Sequence, residues 1–361
     1  MLTRAGLLPL FLKENRTAEE NERIKAYYRR FTPEQFFEIA VNKKVLPFVA
    51  NTLCALGLDV DFWNVPLKEF RNRNEKIIAL LDRVYSVLAN HGVKRMFVTE
   101  NFGALLSADG DLALFCSGDV DNCADFSERD KIYAAFDELG FERKERFALN
   151  KQISAMFYPH DEEIGKDFYI GVDFHPLARV KLPCFVNADD FVDWELLYYY
   201  KDTSIQLPPI NALAYICTLH ISLHSFSRAP DARLYYDLIN ITKLDVDYNL
   251  LALWAKRDCT CKRLKTAAII SNQLFGTSFL FESLSNVAVD RILSIVCDRQ
   301  AMDLIYEPSG LTVLRLELLC NDKGVLEGMK EILFPDDGWM RETYGKIGAW
   351  EYVKHIMRIL R

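Results

Sequence analysis

The hydrophobic period of this chain changes near Val93 and changes back near Pro183, and that interruption constrains the fold more than any other feature. Inside it lie four short runs, KRMFV (94–98), DLALFC (111–116), QISAMFY (152–158) and DFYIGVDF (167–174), rich in aromatic, β-branched or other apolar residues. They read as strands. The segment from Ser127 to Leu139, SERDKIYAAFDEL, is amphipathic at helical spacing, with Ser127 as N-cap and Gly140 as stop. A polar loop from Pro159 to Lys166 joins QISAMFY to DFYIGVDF as a hairpin, so at least one strand pair is antiparallel. The charge-rich FERKERF (141–147) reads as a solvated edge or hairpin.

On both sides the pattern is helical. Thr32-Pro33-Glu34-Gln35 supplies an N-cap, a first-turn proline and a capping-box Gln for a helix through Ala40. From Pro66 to Asn90, Ile77, Leu80, Leu81, Val84, Val87 and Leu88 form one stripe, ended by His91-Gly92. Beyond Asn187 the clearest helical pieces are Ala188 to Tyr200, Pro209 to Ser225, Arg233 to Lys243, Leu250 to Ala255 and Gly345 to Leu360. The expected class is α+β: a small mixed sheet with flanking helices, embedded between helical N- and C-terminal parts. A length of 361 residues suits two or three structural units, here 1–92, 93–187 and 188–361.

Bulk properties narrow the function. A net charge of −7 argues against a nucleic-acid partner, which needs dense Lys and Arg. No 18 apolar residues run uninterrupted, so no membrane span is expected. The apolar run after Arg4 ends at Lys13 without a small-x-small cleavage site and reads as a packing segment. Nine scattered cysteines, an odd number, suit reduced thiols of a cytoplasmic protein, and Cys259-Thr260-Cys261 lacks the second pair a zinc site needs.

Directly after DLALFC, the stretch SGDVDNCAD puts Asp119, Asp121 and Asp125 within seven residues. Carboxylates this close repel one another and lose hydration when partly buried, so they need open solvent or a cation. On a strand, residues two apart share a face, which pairs Asp119 with Asp121 and, in VDFH, Asp173 with His175. If the two strands are neighbours, three carboxylates converge. That set suits Mg2+ or Mn2+. Asp125 changes face and reads as an exposed residue near the helix start.

Other acidic motifs fit less well. An EF-hand loop from Asp119 would need Asp or Asn fifth and Gly sixth, where Cys123 and Ala124 stand. A dehalogenase-type phosphatase typically places Thr or Val two residues after its second aspartate; here that is Cys123. A glycosyltransferase DxD, taking a nucleotide-sugar with manganese, stays open. His220 and His224 lie one helical turn apart but without the Glu of a HExxH helix, which favours packing.

GDVDNCADFSERDKIYAAFDELGFE resembles the core of the polymerase-beta-like nucleotidyltransferases, in which a Gly-Asp-x-Asp strand leads into a helix ending Leu-Gly-Phe. HGVKRMFV before it, VDFH after it and LHISLHSFSRAPDARLYYDLINIT, with His224 and Asp237, are similar to the bacterial uncharacterised nucleotidyltransferase family. The likeness spans roughly Leu80 to Thr242. It implies transfer of a nucleoside monophosphate from a nucleoside triphosphate to a hydroxyl of a small-molecule or protein acceptor. It further implies Asp119 and Asp121 as magnesium ligands, Asp173 as third carboxylate and base, and Ser117, Gly118 and His175 as nucleotide contacts. Two positions depart from the family: Thr99-Glu100-Asn101 stands where Leu-Lys-Gly is usual, and Phe115 where an Arg is common. Lys94, Arg95 or Lys151 are the substitutes the sequence offers. The departures keep an alternative open, a binding or scaffold protein that retains the fold without the chemistry.

Overall fold

A computed structural model of the chain describes residues 7–147, 153–174, 178–179, 185–186, 188–224, 226, 233–297, 310–334, 340–341 and 344–359. Five helices open it: α1 (Leu8–Leu12), α2 (Ala18–Tyr28), α3 (Pro33–Asn42), α4 (Leu46–Ala55) and α5 (Val60–Asn90). Thr17 with Glu20 and Thr32 with Gln35 close full capping boxes on α2 and α3. The apolar run at the start becomes α1, and its Pro9, Leu10, Phe11 and Leu12 are buried. The long α5 begins before Pro66, at Val60, because Asp59 accepts from Tyr28 Oη at 2.6 Å and Trp63 Nε1 donates to the same hydroxyl at 2.9 Å. Its stripe of Ile77, Leu81, Val84 and Leu88 is buried as expected. Each such side chain contributes about 1.5–3 kcal/mol by leaving water.

The central block is a five-stranded mixed sheet in the order β1-β2-β5-β4-β3, from β1 (Met96–Val98), β2 (Asp119–Ala124), β3 (Glu142–Phe147), β4 (Ile153–Tyr158) and β5 (Tyr169–Asp173). Only β2 and β5 run parallel; the other pairs are antiparallel. Helix α6 (Glu100–Ser107) follows β1, and α7 (Arg129–Glu138) follows β2. Phe136 of α7 stacks on Phe157 of β4 at 3.7 Å between ring centres. FERKERF is the edge strand β3, with Glu142, Arg143 and Lys144 exposed, a charged edge that resists pairing with another chain.

Three expectations fail here. DLALFC is no strand: Leu112–Leu114 is a single 3-10 turn, capped by Asp111, which accepts from the Ala113 amide at 2.9 Å. The strand starts only at Asp119. The stretch from Ala188 to Tyr200 is likewise not a helix but two 3-10 turns, Ala188–Asp190 and Trp194–Leu196, followed by the short strand Tyr198–Tyr199. Asp193 there takes the Glu195 amide at 3.1 Å, and such local bonds compete with helix. Ser127 does not cap α7; Asp125 accepts its amide in a preceding 3-10 turn.

Two ribbons of two-residue strands lie aside from the main sheet among the described residues, β6 (Ala178–Arg179) with β7 (Phe185–Val186) and β8 (Tyr198–Tyr199) with β9 (Gln206–Leu207). Helices α8 (Ile210–Leu223), α9 (Leu234–Ile241), α10 (Tyr248–Arg257), α11 (Cys261–Phe275), α12 (Asp290–Cys297), α13 (Gly310–Cys320), α14 (Val325–Leu333) and α15 (Ala349–Ile359) complete the chain. The fold is α+β, a small mixed sheet flanked by helices. Helices α8 and α9 pack on α6, where a Cβ on Gly103 would fall 2.8 Å from the Val98 carbonyl. One hydrophobic core runs from Leu10 through the sheet to Cys320. Among the described residues no helix is long and apolar enough to cross a membrane.

Candidate functional site

Parallel pairing of β2 with β5 sets the site. The register aligns Asp119 with Tyr169, Asp121 with Gly171 and Cys123 with Asp173. Paired residues in a parallel ladder point to one side, so Asp119, Asp121 and Asp173 share a face of the sheet. All three are half-buried. Val120 and Asn122 alternate to the opposite face, 1% exposed each, against α5. Gly171 is required by space: a Cβ there would sit 3.0 Å from Asp121 Oδ1.

Helix α5 holds this strand from behind. Tyr85 Oη donates to Asn122 Oδ1 at 2.8 Å, and Asn122 Nδ2 donates to the Gly171 carbonyl at 3.0 Å, tying β2 to β5. Asn74, fully buried, donates to the Leu112 and Phe115 carbonyls at 2.6 and 2.8 Å. Arg73 donates to the Ser117 and Ile164 carbonyls at 3.0 and 2.8 Å. The turn that delivers Asp119 is thereby clamped to a helix some forty residues upstream.

The first aspartate is held by two hydroxyls. Tyr169 Oη donates to Asp119 Oδ2 at 2.7 Å, and Ser117 Oγ donates to Oδ1. Gly118 is exposed with open space where a side chain would be. Asp121 is bonded instead to Glu100, the first residue of α6, whose backbone is left-handed at φ 51°. A non-glycine residue there is strained, and such strain gathers at functional sites. Burial, then Asp119 and Asp173, push the Asp121 carboxyl well up. Burial, then Asp121, Asp173, Asp237 and Asp119, do the same to Glu100. Each carboxyl is thereby favoured in its protonated form beside the other.

A second layer comes from the C-terminal helices. His220 Nδ1 of α8 lies 3.0 Å from Glu100 Oε2, without hydrogen-bond alignment, and its Nε2 is 3.1 Å from His224 Nε2. Burial, then His224 and Arg233, push His220 down to about 3, so its neutral form faces Glu100. Asp237 of α9, 3% exposed, is pushed up by burial and pulled back by Arg233. Next to the aspartates a cleft of about 20 Å³ is lined by Asn101, Phe115, Cys116, Ser117, Arg233 and Asp237, among others.

Among the described residues no three His, Cys, Asp or Glu side chains are grouped as a metal centre needs. The carboxylates turn to protein partners, Asp119 to Ser117 and Tyr169 and Asp121 to Glu100. The donor set still fits a hard cation. It is all oxygen, it sits on one sheet face, and Gly171 leaves room beside Asp121.

Of the residues singled out from sequence, Ser117, Gly118 and Asp119 lie at the start of β2, Asp121 follows on the same sheet face, and Asp173 lies on that face at the far end of the pair, opposite Cys123. His175 and Lys151 lie outside the described residues. Arg95 is committed to Asp125 at 2.8 Å, which is half-buried rather than exposed, and Lys94 is exposed beside it. Sequence reasoning missed Tyr169, Arg73, Asn74 and Arg233 altogether, and read Glu100 only as a departure. The signal for Tyr169 was present: it precedes Asp173 by four, on the same strand face.

No family profile matches the chain, and no curated protein does. Among solved structures it is similar to the antibiotic-resistance factor ANT(2'')-Ia, an aminoglycoside nucleotidyltransferase, with 54% of this chain and 96% of that one covered, 11% identity and a TM-score of 0.37. At that score the likeness is distant.

Proposed function

We propose that this chain is a metal-dependent nucleotidyltransferase, moving a nucleoside monophosphate from a nucleoside triphosphate to a hydroxyl of a small-molecule or protein acceptor. One observation carries the reading: Asp119 and Asp121 of β2 and Asp173 of the adjacent parallel β5 share a sheet face, with the space beside Asp121 kept open by Gly171. Asp119 and Asp121, with Asp173, would hold Mg2+ or Mn2+. Bound there, the cation supplies charge neutralisation for the phosphates and acidifies the attacking hydroxyl. Tyr169 and Ser117 fix the Asp119 carboxylate, so that it need not be ordered during turnover. The Glu100 carboxyl keeps Asp121 in place through the hydrogen bond between them. Asp173 takes the proton of the acceptor hydroxyl on a carboxylate oxygen.

Pyrophosphate release, or labelling of an acceptor, is measured with magnesium and each triphosphate in turn. Asp119→Asn is expected to abolish turnover with a melting temperature near the parent's; a full-speed variant refutes the assignment.

Glu100 favours one other reading. An acidic side chain bonded to Asp121, at the place where the resembled family carries a cation, suits a fold-retaining binding or scaffold protein. Calorimetry with magnesium and nucleotides separates the two. Tight, metal-dependent binding removes the scaffold reading, and absence of any nucleotide binding removes the enzyme.

A further inference from the structure

Arg233 stands immediately before α9 and faces the turn that leads into β2. Its Nε is buried and has no hydrogen-bond acceptor. Asp237, Asp121 and His220 all feel its charge, yet its hydrogen-bonding neighbour among the described residues is the Cys116 thiol, a weak acceptor. An arginine held in this way is costly for the fold, because a buried donor left unpaired loses its hydration without return.

What the guanidinium faces is the small cleft beside the aspartates. Ser117 forms part of its wall and donates from its hydroxyl to Asp119, so the cleft borders the acidic face directly. Phe115, Leu105 and Leu114 contribute apolar wall, and Asn101 a side-chain amide. Asp237 also lines it; burial favours its neutral carboxyl, which can donate to an anion. The room, about 20 Å³, admits one water-sized group. A nucleobase is excluded by size. A single phosphate oxygen is not.

We propose that Arg233 grips the triphosphate of the substrate, taking a phosphate oxygen into the cleft between α9 and the turn before β2. This rests on the nucleotidyltransferase reading and supplies the phosphate-holding cation that Glu100 and Phe115 do not. Arginine is suited to it, since its planar fork matches phosphate oxygens and keeps its charge when buried. The cation thus comes from the helical half of the chain, so that phosphate binding joins the sheet to α9.

The full chain is titrated by calorimetry with inorganic tripolyphosphate plus Mg2+, and separately with nucleoside triphosphates plus Mg2+. Arg233→Gln is expected to weaken tripolyphosphate binding by about 10- to 100-fold, the loss of one charged hydrogen bond, and Arg233→Lys by less. Should the Gln variant fail to fold, the Nε–H resonance of Arg233 in the wild-type chain is expected to shift on adding tripolyphosphate. An unmoved resonance, or equal affinity in wild type and Arg233→Gln, overturns the proposal and leaves the enzyme reading standing. A wild-type chain that ignores tripolyphosphate but binds a nucleoside triphosphate does the same. One that binds neither overturns both.

Discussion

Gly171→Ala isolates the space beside Asp121. The added methyl would lie 3.0 Å from Asp121 Oδ1, 3.7 Å from Tyr169 Cε2 and 3.8 Å from the Val120 carbonyl. Ordinary contact begins near 3.4 Å, so the carboxylate must retreat by roughly 0.4 Å. A misplacement of about 1 Å at a reacting group can cost on the order of 100-fold, so this one should cost about five- to tenfold in turnover and in Mn2+ affinity. Stability should hardly change. Gly171 does not occupy the left-handed region, and alanine gains about 0.4–1 kcal/mol from a less flexible unfolded chain, which offsets the crowding. Mn2+ binding is followed by electron paramagnetic resonance, rates against magnesium concentration, and stability by thermal melting. Wild-type Mn2+ affinity in Gly171→Ala would show that the Asp121 carboxylate takes no part in holding a cation.

Three further outcomes follow from the same geometry. Tyr169→Phe removes the 2.7 Å bond to Asp119 and should lower turnover about tenfold, the low end of a charged hydrogen bond, while urea unfolding moves by no more than about 2 kcal/mol; unchanged kinetics would show that Asp119 needs no such support. Asn74→Ala leaves the Leu112 and Phe115 carbonyls unpaired in a buried place and should cost about 2–4 kcal/mol in urea unfolding; a loss below about 1 kcal/mol would mean water replaces the amide. Glu100, held up by burial and its acidic neighbours, keeps a proton in the folded chain that the unfolded chain releases above about pH 4.3. Its contribution is therefore fully present below that pH and is lost as pH rises through the raised folded titration. In a chelator, Glu100→Gln should lose less stability between pH 5 and pH 8 than wild type, read from urea midpoints; equal slopes would place that proton elsewhere.

The sheet was readable where local pattern and tertiary surroundings agree. KRMFV, QISAMFY and DFYIGVDF carry runs dense enough in strand-forming residues to become β1, β4 and β5, and Val172 and Asp173 land beside the Asp119 strand. DLALFC has a similar composition and is not a strand, because Asp111 caps it from within and Asn74, far away in sequence, takes two of its carbonyls. No local window contains that information. Asp119, Asp121 and Asp173 were legible because the two-residue period places them without knowledge of the rest. Glu100 and Arg233 were not, since their roles depend on how α6 and α9 approach β2, which spacing along the chain does not encode.

Helix α5 has a consequence for anyone who would move this unit. Its Arg73, Asn74 and Tyr85 belong to no strand, yet together they anchor both ends of the segment that carries the first two aspartates. A cassette cut at Val93 would transplant every acidic residue and leave their scaffolding behind. Any graft or minimal fragment has to include that 31-residue helix, and any redesign of its inner surface alters the acidic pair without touching it.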